Sequence, residues 1–130
     1  MRHLLYNYEH LPHVVFSRKI DLLDLSRNFT SLFQKNPVLI KISAIFVQNN
    51  GLSALLPTIV IDNTHREFLI EISTTKLKTT IRLYPMTDPD KTDGVKSSLA
   101  LLTKYLLVVY PDLTITKSNI FDYIDSVISS

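Results

Sequence analysis

Between Val38 and Tyr84 apolar and polar side chains alternate in four runs, VLIKISAIFVQ, LLPTIVID, EFLIEIST and LKTTIRLY, and the pattern predicts a succession of antiparallel strands. The last two are the most regular. Phe68, Ile70 and Ile72 alternate with Leu69, Glu71 and Ser73, and Leu77, Thr79, Ile81 and Leu83 alternate with Lys78, Thr80, Arg82 and Tyr84, so each strand has one face for a core and one for water. Asn49-Asn50-Gly51 suits a tight hairpin, and Asp62-Asn63-Thr64-His65 carries side chains that bond their own backbone. Links this short predict that neighbours in sequence pair antiparallel. Pro57 cannot donate to a ladder, which places its strand at an edge or beside a bulge; Leu77 to Tyr84 is the other candidate for an unpaired edge.

The period changes on either side of these strands. Leu22, Leu25, Phe29, Leu32 and Phe33 recur at helical spacing behind a capping Asp21, with Asp24 in the first turn, and predict a helix from Leu22 to Lys35 ended by Asn36-Pro37. A second helix is expected from Val95 to Tyr110, begun by Asp93 or a neighbour, and Pro111 stops it. Its apolar arc is broad, since Leu101, Tyr105 and Val108 widen the stripe of Val95, Leu99, Leu102, Leu106 and Val109. A short extended piece at Leu113 to Thr116 and a last helix capped by Ser118 follow, the latter carrying Ile120, Phe121, Ile124, Val127 and Ile128. At the other end, the runs HLLYNY and HVVFSRK around Glu9-His10-Leu11-Pro12 predict a leading hairpin.

A chain of 130 residues with 45% apolar content supplies one core of ordinary size, which predicts a single α+β domain over residues 1–130, a mainly antiparallel β-meander with helices packed on one face. The absence of cysteine excludes disulfides, thiolate nucleophiles and iron–sulfur ligation, and favours an intracellular protein, cytoplasmic or nuclear. No leader pattern and no run of roughly 18 to 20 apolar residues interrupts that expectation. Fourteen basic against twelve acidic residues give a net charge of +2, too small to name a partner.

His3, Glu9, His10 and His13 lie close in sequence, but Pro12 breaks the spacing a metal site needs, and no metal or other cofactor is expected. With Gly51 and Gly94 as its two glycines the chain has no phosphate cradle, it lacks G-x-S-x-G, and Asp88 with Asp90 reads as loop dressing. These absences argue against catalysis. Lys76, Lys78 and Arg82, with Tyr84 and a contribution from Lys41, mark a basic sheet face suited to an anion or nucleic acid, opposed by Glu71 on the adjoining strand. The apolar surplus at Leu101, Tyr105, Leu107, Val108, Tyr110 and Phe121 marks a protein interface.

The order of predicted elements, hairpin, helix, three or more strands, helix, helix, is similar to that of longin and roadblock-type domains. That resemblance implies a small adaptor that works in dimers within membrane-traffic or GTPase-regulating complexes. Tyr84-Pro85-Met86-Thr87-Asp88-Pro89 resembles the Y-P-x-x-x-P turn of RWD and ubiquitin-conjugating-like domains, although here the following segment reads as helix and the lack of cysteine excludes conjugation. The expectation is a non-catalytic adaptor acting as a homodimer or as a subunit of a larger complex; the alternative is a nucleic-acid-binding module using the basic outer face.

Overall fold

A computed structural model describes residues 11–129. Its elements are β1 (His13–Phe16), α1 (Leu22–Asn28), β2 (Leu32–Gln34), β3 (Leu39–Ile42), β4 (Phe46–Val47), β5 (Ser53–Ile61), β6 (His65–Thr74), β7 (Thr79–Leu83), α2 (Asp93–Val109), β8 (Ile115–Ser118) and α3 (Phe121–Ser129). Every strand pair is antiparallel, and the sheet runs β2-β3-β5-β6-β7-β1-β8 with β4 on the other half of β5. This is the α+β architecture that the alternation predicts. The order differs from the one compared with longin domains, because β8 separates the last two helices.

Register explains how the alternation becomes a core. Ile42, Thr58 and Phe68 stand side by side, as do Leu56, Ile70 and Leu83, and Ala54, Ile72, Ile81 and Val14, and all of them are buried. Val95, Leu99, Leu102 and Leu106 of α2 join that cluster, and the helix packs against β1, β2, β3, β5 and β7. The broad apolar arc of α2 is met on a second side by α3: the Tyr123 hydroxyl donates to Asp93 Oδ1 at 2.6 Å, and Lys104 Nζ to Val127 O at 3.3 Å.

Three expectations are corrected. The first helix ends at Asn28, whose side chain turns back to donate to Asp24 O at 3.1 Å, and Phe29 is already extended at φ −71°, ψ 131°. Leu32 and Phe33 fit a strand as well as a helix, and pairing with Ile42 and Lys41 of β3 decides for the strand. Pro57 lies within an interior strand. Ile42 faces Thr58 while Phe46 faces Leu55, so the three residues Ser43 to Ile45 span the length of Leu56 and Pro57. The bulge allowed for is therefore in the neighbouring strand, where Pro57 offers no donor. Leu77 to Tyr84 is no edge either, since β1 covers β7; the sheet ends at β2 and β8, with three and four residues, and the two-residue β4 forms a further short edge beside β5. Of the leading hairpin the second arm forms β1, inserted between β7 and β8, and the first arm lies outside the described residues.

The first turn of α2 is seated on the end of the β5–β6 hairpin. Thr92 caps it, accepting from Val95 N at 3.2 Å and donating to Asp62 Oδ2 at 2.9 Å. Asp62 also receives Thr64 N at 3.2 Å and Arg66 Nε at 3.1 Å. The Thr64 amide first, then Thr92 and Arg66, hold its carboxyl down at about 2, against an ordinary 3.8 and against burial. Next in the helix, a Cβ on Gly94 would stand 2.8 Å from Val60 Cγ1 of β5 and 3.1 Å from Val38 Cγ1, in the bend just before β3.

Gly94→Ala should therefore destabilise the fold by about 1–3 kcal/mol in urea denaturation, despite the better helix propensity of alanine. The ionised Asp62 contributes its full stability above the ordinary carboxylate range, and the contribution is lost as pH falls below about 4 and through about 2. The melting temperature should drop more steeply over that window in the parent than in Asp62→Asn; parallel profiles would remove Asp62 from the account.

Candidate functional site

The helical patch does not assemble as one surface. Leu101, Tyr105, Leu107 and Tyr110 are half-buried and pack against the core. Tyr105 meets Phe29 edge-on at 5.5 Å between centroids. The Tyr110 hydroxyl donates to Asp24 Oδ2 at 3.2 Å while Arg18, paired with Asp112, lies 5.4 Å from its ring centroid; burial and then the Asp24 charge push this phenol up to about 12. Val108 and Phe121 remain 69% and 45% exposed, one near the end of α2 and the other at the start of α3. Tyr123 of α3 meets Asp93, fifteen residues before Val108 along the helix, so the two are separated by about 20 Å.

The apolar surface that the sequence reading missed is on the open face of the sheet. Phe33, Lys41, Ile59 and Glu67 form one row across β2, β3, β5 and β6, and Phe46, Leu55, Glu71, Arg82 and His13 form another across β4, β5, β6, β7 and β1. Pro57 and Leu69 pair between them. Phe33 and Phe46 are 59% and 64% exposed. A two-residue strand and a three-residue strand carry too little alternation to announce this from the sequence; Phe33 in particular is masked by its fit to the helical stripe.

Toward β1 the same face turns polar. A cleft of about 670 Å³ opens over β7, β1 and β8, with Lys78, Thr80, Arg82, His13, Lys117 and Asn119 among its walls and Val15 at its floor. Lys78 and Arg82 thus come together as expected, Lys76 lies in the exposed turn beside them, and Tyr84, whose amide donates to Leu69 O at 2.9 Å, lies outside the cleft. Lys41 is on β3, three strand spacings or about 15 Å from β7. Lys117 was missed because β8 becomes readable only once β1 is placed beside it, Val15 facing Thr80 on one side and Lys117 on the other.

Local bonds fix the walls. Asn119 accepts from His13 N at 3.0 Å and donates to Leu11 O at 2.9 Å, while the His13 ring Nδ1 donates to Leu11 O at 2.8 Å. Arg82 Nε donates to Glu71 Oε1 at 2.9 Å, and burial pushes the Glu71 carboxyl up. His3, Glu9 and His10 lie outside the described residues; among those described, no group of three or more His, Asp or Glu is placed to hold a metal ion. No described helix is long and apolar enough to cross a membrane. Comparison with protein-family models, curated proteins and solved structures yields no match.

Arg82→Leu removes the partner of a half-buried carboxylate. A stability loss of about 1–2 kcal/mol is expected at neutral pH, smaller in acid where Glu71 takes a proton, and relieved by adding Glu71→Gln. Equal losses with and without Glu71→Gln in chemical denaturation would show that the pairing is not the reason.

Proposed function

We propose that the chain is a non-catalytic protein-binding module whose partner is a second copy of itself, docked through the apolar half of the open sheet face. The reading rests on one row, Phe33, Lys41, Ile59 and Glu67, in which Lys41 and Glu67 stand one strand to either side of Ile59. Two strand spacings separate their backbones by about 10 Å, and among the described residues no ion pair joins the two within the chain. A twofold axis running along β5 between two facing copies exchanges the sides. Ile59, Pro57 and Leu55 then lie on their own counterparts, and each Lys41 stands over the partner's Glu67. Among the described residues Lys41 has no carboxylate partner, and Glu67 meets only the His65 ring, at 3.5 Å. Sheets of this kind pack face to face about 10 Å apart with strands nearly aligned, and closed twofold pairing is the commonest assembly.

A paired module of this type serves as an adaptor or subunit of a larger complex, and its cysteine-free chain suits an intracellular setting. Nucleic-acid binding along the outer face is disfavoured by Glu67 and Glu71, which stand on β6 between Lys41 and Arg82 and interrupt any continuous cationic track.

Light scattering over a dilution series should show a dimer giving way to monomer. Lys41→Glu and Glu67→Lys should each weaken the dimer by about tenfold, and the two together should restore it, because the swap recreates the cross-interface pair. A monomeric mass at every concentration, or a double variant no better than the singles, defeats the reading.

A further inference from the structure

The cleft over β7, β1 and β8 carries chemistry that self-association leaves unused. Its walls bring together Lys78, Arg82 and Lys117 with His13, and among the described residues no carboxylate lines it. Among the described residues neither Lys78 nor Lys117 has a carboxylate partner, although all six ion pairs there hold an Asp or Glu. Arg82 is differently placed: its ion pair with the neighbouring Glu71 fixes the side chain beside the cleft and offsets its charge, which leaves Lys78 and Lys117 as the cations for a ligand. Like charges gathered around a concavity raise its potential and favour a ligand of more than one negative charge.

We infer that this cleft is a binding site for a small phosphorylated molecule, with the phosphoryl group between Lys78 and Lys117 and the organic part against Val15. The size fits, since about 670 Å³ lies within the range of small-ligand pockets of roughly 300–1,000 Å³. Thr80 and Asn119 supply neutral groups beside the cations, and Val15, between Thr80 and Lys117 in register, supplies an apolar floor that a bare inorganic ion would not need. The walls are pre-formed: Asn119 bonds both the His13 amide and the Leu11 carbonyl, and the Ser118 hydroxyl donates to His13 O at 2.9 Å. A polymeric polyanion is the poorer fit, because the cations end at the cleft and Glu71 and Glu67 follow on the next strand.

The site is independent of the twofold contact, and its test uses the whole chain at low salt. Nitrogen-15 NMR titrations with ribose 5-phosphate and with inorganic pyrophosphate should give saturable shifts at Thr80, Lys117 and Asn119. Lys78→Ala with Lys117→Ala should weaken ribose 5-phosphate binding by at least about tenfold, whereas Lys41→Ala with Lys76→Ala should leave it unchanged. Arginine at both cleft positions should retain binding, which separates charge from fold. Saturation by ribose 5-phosphate more tightly than by pyrophosphate supports the organic-phosphate assignment. No saturable shift with either probe, or equal losses in the two alanine pairs, overturns it. So does tighter binding of a thymidine dodecanucleotide that depends on Lys41 and Lys76 as well, which would make the whole face a nucleic-acid surface.

Discussion

The architecture hangs on the seating of one helix end. The core face of the sheet needs a lid, and α2 is the only element long enough among those described to reach five of its strands. At Gly94 its first turn lies so close to Val60 of β5 and to Val38, just before β3, that a side chain there would clash, and the polar rim of that contact is Asp62, which ties the hairpin turn to the helix cap through Thr64 and Thr92. At the other end Tyr110 reaches Asp24 of α1. With both ends fastened, the rotation of α2 about its axis is fixed, and the leucines of one stripe are presented to the strands together.

The placement of β1 has the second largest effect. A strand from the beginning of the chain pairs with β7 and with β8, which is about a hundred residues away, and Asn119 locks the approach to it from both sides. Contacts of such sequence separation cost loop-closure entropy before they repay it. What they give in return is geometry: a wall contributed by each end of the chain, and a cleft between them that no local segment contains.

The legible parts of the molecule were those where one period was unambiguous. Alternation in Phe68 to Ser73 and Thr79 to Leu83 carries through to register and burial, and Asn49-Asn50-Gly51 forms its turn with Gly51 at φ +74°. Leu32 and Phe33 were misread because two consecutive apolar residues satisfy a helix and a strand equally, and only the partner β3 discriminates. Of the two placements open to Pro57, an edge or a bulge, the structure has the bulge: the missing donor is accommodated by disrupting the neighbouring strand rather than by exposing its own. The helical surplus looked like an interface because Phe29, Asp24 and α3, which absorb most of it, are distant in sequence. For the same reason Lys117 was invisible as a companion of Lys78.

The brevity of the two outermost strands shapes how this molecule can associate at all. β2 offers three residues and β8 four. Backbone addition along such stubs gains few hydrogen bonds, so growth from sheet to sheet in the manner of fibrils has little to build on. Contact between broad faces is self-limiting, because each face is spent once it is covered. Loop insertions that lengthened β2 would therefore add unpaired donors and acceptors along an edge that is now too short to template another chain.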